Sequence, residues 1–190
     1  MNVIAAEIPD VKIIEPVVFG DARGYFFESW TQERYKEAGI DCNWIQDNES
    51  RSRFGVLRGL HYQAAPYTQA KLVRVIVGAV LDVAVDIRRG SPTFGRHVAV
   101  ELSAENKRQL FVPRGFAHGF VVLSDDTIFQ YKCDNQYAPS HERGIMFNDP
   151  ALKIDWRVQV EQFILAPKDT RHPLLADAEV FDFATKEYLQ

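Results

Sequence analysis

The sequence predicts an all-β protein, either a sandwich or a barrel, from three observations. Short segments of β-branched and apolar residues recur about every 8–12 residues, separated by Gly, Pro, Ser and Asp. Strands do not alternate with helices, which argues against a parallel α/β sheet. Residues 113–118 have the pattern Pro-x-Gly-x-x-His, half of the signature of a small β-barrel whose interior often binds metal.

Six segments carry the strand pattern most clearly, at residues 72–77, 80–87, 94–102, 108–112, 118–123 and 127–133. The turn signal at residues 124–126 predicts a hairpin between the last two. Residues 80–87 alternate, with Leu81, Val83, Val85 and Ile87 on one face and Asp82, Ala84 and Asp86 on the other. Some polar strand residues fit either a solvent face or the polar lining of a cavity inside a closed barrel: Arg74, Asp82, Asp86, Gln130 and Lys132.

One helix is predicted over the polar run at residues 31–38. Ser29 and Gln32 form a Ser-x-x-Gln capping box, the pattern that starts many helices. Gly39 is a natural residue to end the helix, because glycine adopts the left-handed backbone found just after helix C-termini.

The size and composition favour one soluble domain spanning residues 1–190. A net charge of −4 gives no basic field for nucleic acid. Cys42 and Cys133 make no disulfide framework, so we expect reduced thiols in a cytoplasmic protein. The chain has no apolar run of about 20 residues, the length that spans a membrane, and no targeting pattern at its start.

Two of the five histidines, His61 and His118, stand in unusual contexts. His61 follows Arg58 and Gly59 on a strand pattern, and a glycine inside a strand often allows a ligand to approach the backbone closely. One pair of strands could direct Arg58, His61 and Lys71 into one cavity. Alternatively, Arg58 and Lys71 are edge charges that prevent aggregation. The other histidines are expected to be structural or exposed, in a strand or in polar loops: His97, His141 and His172.

A metal site of the usual barrel type is not expected. That site needs His-x-His, a carboxylate and a later histidine, but Gln63 occupies the position of the second histidine. No Asp or Glu lies between Gln63 and Asp82. A barrel that keeps two histidines without the ligand set is predicted to use them for proton transfer.

Several long motifs resemble the dTDP-4-dehydrorhamnose 3,5-epimerase family over nearly the whole chain. They are RGYFFESW (23–30), QDNESRS (46–52), GVLRGLHYQ (55–63), KLVRVIVGAVLDVAVDIRRGSPTFG (71–95), PRGFAHGF (113–120), YKCDNQYAPSHERGI (131–145) and FNDPALKIDW (147–156). The resemblance implies a cupin-type jelly-roll barrel with a few short peripheral helices, used as a homodimer without metal or other cofactor.

The implied reaction converts dTDP-4-keto-6-deoxy-D-glucose to dTDP-4-keto-L-rhamnose, a step of dTDP-L-rhamnose biosynthesis. The C4 ketone acidifies the protons on C3 and C5, because either carbanion delocalises onto the ketone oxygen. Four residues match the family's catalytic positions. His61 is the general base, Asp169 orients it, Tyr131 is the acid on the opposite face, and Lys71 lies nearest the developing oxyanion.

The resemblance also implies residues that bind the sugar, the diphosphate or the nucleotide, some of them across the dimer interface: Arg23, Glu28, Gln46, Asn48, Arg58, His118, Glu142 and Lys168. Phe19, Phe26 and Tyr137 are three candidates for stacking on thymine. Ala70 and Met146 depart from the family pattern, but neither is one of the chemical groups named above.

Three alternatives stay open at this stage. The first is epimerisation at C3 only, in a related deoxysugar pathway. The second is a sugar-nucleotide-binding module without turnover. The third is a metal-dependent oxygenase or isomerase of the same barrel type.

Overall fold

The computed structural model describes residues 1–189, which form a jelly roll of two facing antiparallel sheets. The six-stranded sheet has the order β1 (Asn2–Ala5), β2 (Lys12–Glu15), β11 (Gln109–Val112), β7 (Lys71–Val77), β13 (Thr127–Cys133), β5 (Gln46–Ser52). The five-stranded sheet has the order β10 (His97–Ser103), β8 (Ala79–Asp86), β12 (Phe116–Val122), β6 (Leu57–Gln63), β14 (Glu142–Gly144).

Smaller elements lie around these sheets. Two ribbons pair β3 (Phe19–Asp21) with β4 (Gly24–Phe26) and β9 (Arg88–Arg89) with β15 (Phe181–Asp182). The helices are α1 (Gln32–Glu37) and three 3-10 turns at Pro139–His141, Val160–Gln162 and Glu187–Leu189. The prediction of an all-β fold with short peripheral helices is therefore confirmed. Among residues 1–189, none of the helices has the length and apolar character that crossing a bilayer requires.

The predicted strands are found with bounds shifted by at most a few residues, and the strand at residues 127–133 has the bounds predicted. Strand β5 has no counterpart in the prediction, because its sequence QDNESRS contains no apolar residue. It forms because every residue pairs with β13, at the edge of the six-stranded sheet. Strand formation here depends on a partner strand far along the chain, paired from Thr127 opposite Ser52 to Cys133 opposite Gln46.

Three apolar clusters separate the layers of the molecule. One lies between the sheets and contains Val73, Val75, Ala84, Phe120 and Phe129. A second packs the outer face of the five-stranded sheet against the C-terminal segment, and it contains the predicted apolar face of β8. The third packs α1 on the outer face of the six-stranded sheet. The C-terminal segment is therefore held against the back of the five-stranded sheet by burial of apolar surface.

The two faces of β8 are as predicted, but the polar face points into the sandwich. Asp82 and Asp86 are fully buried, so the solvent-face interpretation is wrong for both. Asp86 accepts hydrogen bonds from Arg88, Ser91 and Thr93, which satisfies its charge inside the fold. The other polar strand residues, Arg74, Gln130 and Lys132, lie on the outer face of the six-stranded sheet.

The hairpin predicted at residues 124–126 is wrong. Strand β12 belongs to the five-stranded sheet and β13 to the six-stranded sheet, so this turn crosses between the layers. The Ser124 hydroxyl accepts the backbone N–H of Ala79 and contacts the Thr127 hydroxyl. A Cβ at Gly78 would lie 2.2 Å from the Asp126 carbonyl oxygen, so the two crossing turns pack directly on each other. Local turn residues predicted a change of direction, but not which strands would pair.

Helix α1 begins later than the capping box predicts. Its N-cap is Thr31, and Ser29 instead accepts hydrogen bonds through its backbone oxygen from Tyr35 and Gln109. The predicted C-terminal stop is confirmed: Gly39 has φ +74, and the N–H groups of Gly39 and Ile40 donate to the carbonyls of Lys36 and Tyr35. This pair of bonds is the Schellman arrangement that ends many helices.

Candidate active site

A cavity of about 640 Å³ opens between the two sheets. Strands β5, β7 and β13 of one sheet and β6 and β12 of the other line it, together with the loop at residues 164–169. Arg58, His61 and Lys71 all line this cavity, as predicted. They do so from facing strands of the two sheets, β6 and β7, and not from one pair of adjacent strands. The cavity has the size expected for a small-molecule site.

The first imidazole–carboxylate pair stands at this cavity. Nε2 of His61 lies 2.6 Å from Oδ1 of Asp169, across 108 positions of sequence. The His61 side chain is 21% exposed, whereas that of Asp169 is 1% exposed. Burial is the largest single influence and would raise the pKa of the Asp169 carboxyl. The hydrogen bond with His61, together with the charge interactions with His61, His172 and Lys168, outweighs burial and lowers this pKa below the ordinary value. Asp169 is therefore an ionised acceptor that fixes the orientation of the ring.

A second imidazole–carboxylate pair lies deeper in the same cavity. His118 is the cross-strand partner of His61, so both rings project from the same face of the five-stranded sheet. Nε2 of His118 lies 2.9 and 3.0 Å from the two carboxylate oxygens of Asp82 on β8. Its side chain is only 7% exposed and that of Asp82 is fully buried.

Tyr131 and Lys71 face the cavity from the six-stranded sheet, opposite the two histidines. The Lys71 ammonium lies 5.9 Å from the centroid of the Tyr131 ring. Burial raises the pKa of the Tyr131 phenol, so the hydroxyl keeps its proton at neutral pH. Burial removes the Lys71 amino group from water and lowers its pKa below the ordinary value for lysine. These two side chains thus provide hydrogen-bond donors on the side away from His61.

Polar side chains surround the rest of the cavity. Nε2 of Gln46 donates to Oδ1 of Asn48 at 2.9 Å, and both residues line the cavity. Lys168 Nζ lies 2.6 Å from Glu142 Oε1, while the Tyr137 hydroxyl donates to Oε2 of the same carboxylate. Of the three aromatic candidates for stacking, only Tyr137 lines this cavity within one chain.

Arg23 and Glu28 do not line the cavity of their own chain. Arg23 lies at the turn between β3 and β4, where its side chain is 90% exposed and paired with Asp21. Glu28 is paired with Arg34, near the start of α1. Phe19 and Phe26 lie on the same β3–β4 hairpin and are 62% and 70% exposed. The resemblance assigned Arg23 and Glu28 to ligand binding and left Phe19 and Phe26 as candidates for stacking on thymine; none of the four lines this cavity within its own chain.

Position 63, where the usual barrel metal site has its second histidine, does not supply a metal ligand. Gln63 is buried, and its amide group donates to the carbonyls of Tyr67 and Gln136 and accepts the N–H of Ala138. Its side chain therefore holds two loops together instead of facing His61 and His118. Gly59 also differs from its prediction: a Cβ there would lie 2.7 Å from Gly119 Cα, so the close approach is made by the neighbouring strand and not by a ligand.

Two residues that contact the predicted catalytic pairs were given no role by the sequence. Asp82 alternates with apolar residues, and this pattern does not distinguish the inside of a barrel from its outside. His172 was assigned to a polar loop, but its Nε2 lies 3.4 Å from Asp169 Oδ1 and its ring centroid 5.5 Å from that of His61. The donor atoms of His61, Asp169 and His172 all lie within 4.8 Å of one another, so these three residues could hold a metal ion. No local sequence signal links position 61 to position 172.

The fold and the cavity together define a jelly-roll protein of the cupin type, with an oriented imidazole on one wall and a protonated phenol on the other. Such an arrangement is suited to acid–base chemistry on a small molecule between the sheets.

Known proteins identify the family. A family model described as dTDP-4-dehydrorhamnose 3,5-epimerase matches residues 5–177. A protein of that name from Shigella flexneri is 57% identical over 182 residues, covering 95% of this chain and 99% of the relative. The chain belongs to the dTDP-4-dehydrorhamnose 3,5-epimerase family, whose members are isomerases.

Solved structures agree with this assignment. A dTDP-6-deoxy-D-glucose-3,5-epimerase from Legionella pneumophila, solved in complex with dTDP-4-keto-L-rhamnose, is 52% identical with a TM-score of 0.92. The alignment covers 96% of this chain and 98% of that one. A 3′-monoepimerase from Streptomyces bikiniensis, in complex with dTDP-quinovose, is 34% identical over the full length of both chains, with a TM-score of 0.88.

Proposed function

We propose that this chain epimerises dTDP-4-keto-6-deoxy-D-glucose at C3 and C5 to give dTDP-4-keto-L-rhamnose, a step of dTDP-L-rhamnose biosynthesis. The observation that carries the proposal is the placement of His61 and Tyr131 on opposite walls of one cavity. Inversion at a carbon requires a proton to leave one face and another to arrive at the opposite face. A base and an acid on opposite walls supply these two steps.

His61 is proposed as the base. Because Asp169 accepts the Nε2–H of the ring, the neutral imidazole has its lone pair on Nδ1, and that nitrogen takes the proton from the carbon next to the ketone. The ionised carboxylate also stabilises the imidazolium that results. Asp169 is a positioning residue in this scheme, since it acts through His61.

Lys71 and Tyr131 are proposed to complete the reaction from the opposite wall. The Lys71 ammonium stabilises the enolate oxygen, which in a poorly hydrated site is worth far more than in water. The Tyr131 phenol then donates its proton to the carbanion on the face away from His61. Its raised pKa keeps it protonated until that step. His118, Arg58, Gln46, Asn48, Glu142 and Lys168 are proposed to bind the sugar nucleotide from the remaining cavity walls.

The assembly is proposed to be a homodimer in the cytoplasm, each chain acting as a single epimerase domain. The β3–β4 hairpin supports the dimer, because it exposes Phe19 and Phe26 together with an accessible guanidinium at Arg23. A partner that receives this hairpin would cover the aromatic rings and bring Arg23 to the diphosphate. Glu28 would enter the partner's site by the same route. The two free thiols, Cys42 and Cys133, support a reducing compartment.

Solvent exchange tests the reaction. Incubation of the 4-keto sugar nucleotide with the protein in D₂O is expected to place deuterium at both C3 and C5, detected by mass spectrometry and NMR after trapping with a stereospecific ketoreductase. Deuterium at C3 alone would instead support the second candidate, a C3-only epimerase. That candidate is favoured by one observation, the fold shared with the Streptomyces monoepimerase. Binding of the sugar nucleotide without any deuterium exchange would instead indicate a sugar-nucleotide-binding module without turnover.

Mixed dimers test the hairpin. We expect His61→Asn and Arg23→Glu chains to be nearly inactive separately and to recover activity when co-expressed. If the hairpin acts across the interface, the mixed dimer contains one site with an intact His61 from one chain and an intact Arg23 from the other. If Arg23 served its own chain, neither site would be complete and no recovery would occur. Light scattering on each preparation checks that the dimers form.

A further inference from the structure

We propose that His61, Asp169 and His172 form a binding site for a divalent transition-metal ion such as Zn²⁺, and that metal bound there inhibits the enzyme. The metal site itself depends only on the geometry, whereas the inhibition rests on the function proposed above. Asp169 Oδ1 lies 2.6 Å from His61 Nε2 and 3.4 Å from His172 Nε2, and the three donor atoms lie within 4.8 Å of one another.

The third ligand is held in position by the fold. Asp169 and His172 are three positions apart in one turn, which is closed by hydrogen bonds from Asp169 N to the Ala166 carbonyl and from Arg171 N to the Lys168 carbonyl. The His172 ring packs on Gly144, where a Cβ would lie 2.5 Å from ring atoms. Gly144 is itself the register partner of His61 on β14. The absence of a side chain at position 144 thus lets the second imidazole sit beside the first.

Two atoms of the cluster have no hydrogen-bond partner among the described residues. They are Asp169 Oδ2 and His172 Nε2, and both are buried. Buried side-chain polar atoms usually have partners, so two such atoms in one cluster mark a place where a ligand would be stabilised. The Asp169 side chain is 1% exposed and that of His172 is 15% exposed, while His61 and Asp169 line the cavity.

The donor set selects the class of ion. Two imidazoles and one carboxylate suit Zn²⁺, Co²⁺ or Fe²⁺ and not Mg²⁺ or Ca²⁺, which prefer oxygen ligands. Ligand bonds of about 2.0–2.2 Å place tetrahedral donors roughly 3.3–3.6 Å apart. The 3.4 Å between Asp169 Oδ1 and His172 Nε2 lies in this range. The shorter His61–Asp169 contact must open when the ion replaces the proton between them. Lys168 is the nearby cation, and its charge is compensated by Glu142 at 2.6 Å.

Inhibition follows from the tautomer of His61. A metal ion on Nε2 takes the lone pair at that nitrogen, and the single proton of the neutral ring then resides on Nδ1. The Nδ1 atom has no lone pair left to accept a proton from the sugar. The metal also withdraws Asp169 from its orienting role. Occupancy of the site is therefore incompatible with abstraction, although the substrate cavity remains formed.

The test compares metal-stripped wild-type protein with His172→Phe, which keeps a ring against Gly144 but removes the ligand. We expect Co²⁺ to give visible ligand-field bands with the wild-type protein, and calorimetry to find one strong Zn²⁺ site per chain. His172→Phe is expected to keep its metal-free activity, to lose the Co²⁺ bands, and to need at least about tenfold more Zn²⁺ for half-inhibition. Excess EDTA should restore the wild-type rate.

His141→Gln is the matched control, because it removes a half-buried histidine whose ring contacts Tyr67 and Ser140 and which is not one of the three ligands. It should respond to Zn²⁺ as the wild type does. His172→Asn serves as a second variant if His172→Phe unfolds at a lower temperature than the wild type. Wild-type protein without Co²⁺ bands, or both His172 variants with unchanged Zn²⁺ affinity, would overturn the site. Failure of the proposed function is separately visible, because metal-free protein would then exchange no deuterium while the Co²⁺ spectrum still reports the site.

Discussion

Two imidazole–carboxylate pairs stand on neighbouring strands of the five-stranded sheet, and they differ in where each carboxylate comes from. His118 takes Asp82 from the adjacent strand, 36 positions away, and its side chain is 7% exposed. His61 takes Asp169 from a loop 108 positions away, and its side chain is 21% exposed. Strand pairing fixes the first pair inside the sandwich, whereas docking of the C-terminal segment creates the second at the cavity surface.

Under the proposed function, this difference separates a pair that positions the sugar, His118 and Asp82, from a pair that transfers the proton, His61 and Asp169. A pair built wholly from strands is rigid and mostly shielded, which suits a group that holds the sugar in place. In the proposed mechanism, the pair whose carboxylate lies on a loop keeps one nitrogen of the His61 ring toward the substrate while the other is held by Asp169. The same two side-chain types can therefore have different roles, according to exposure and to the element that brings the carboxylate.

The largest expected effect is from replacing the two histidines. His61→Asn should lower kcat by about 10³–10⁴-fold and abolish deuterium exchange, because it removes the base. His118→Asn should lower kcat/KM by only about 10–100-fold, since abstraction can still occur. Steady-state kinetics and exchange measured on both variants check this order. Equal losses in the two variants would mean that His118 also transfers a proton.

The two carboxylates provide the next contrast. Asp169→Asn should lower kcat by about 10²–10⁴-fold, because the amide disturbs the tautomer of His61, and should reduce stability less than Asp82→Asn does. Asp82→Asn should mainly reduce stability, by about 2 kcal/mol, because it weakens a fully buried hydrogen-bonded contact. Denaturant unfolding beside kinetics separates these outcomes. If Asp169→Asn reduced stability as much as Asp82→Asn does, the carboxylate on the loop would be as important for folding as the one on the strand, which would contradict this comparison.

A smaller effect is expected at the opposite wall. Tyr131→Phe should lower the rate of inversion by about 10²-fold while deuterium exchange at the face of His61 continues, since that histidine can return a proton to the carbon it came from. The ratio of exchange to inversion is the measurement. An unchanged ratio would transfer the role of acid from Tyr131 to another group, and His118 would be the first to test.

The smallest expected effect is the pH dependence of stability. The folded-state pKa of Asp169 is lowered, so its stabilisation is fully present above the pKa of the unfolded chain and is lost as the pH falls through the lower, folded value. The difference in unfolding free energy between wild type and Asp169→Asn should therefore shrink below about pH 4. Urea melts from pH 7 to pH 3 measure this difference. A difference that grows on acidification would contradict the ionised state of Asp169.

Local sequence was sufficient for much of the framework. The β-branched alternation of β7, β8 and β13 predicted strands with nearly the observed bounds, and Gly39 marked the end of α1. The strand around Arg58 and His61, followed by Lys71, predicted side chains that do meet in one cavity. These features depend on the preferences of a residue and its near neighbours, and these preferences act before any long-range contact forms.

Contacts between distant parts of the chain decided the remaining features of the fold and the site. Strand β5 has no apolar pattern and exists because β13 pairs with it, while the turn at residues 124–126 joins two sheets instead of two paired strands. Asp82 lies inside because the sandwich closes over that face of β8, and His61 meets Asp169 and His172 because the C-terminal segment buries its apolar side chains against the back of the sheet. A one-dimensional pattern gives the faces of a strand but not the partner that each face will meet, since that partner is selected by burial and pairing across the whole chain.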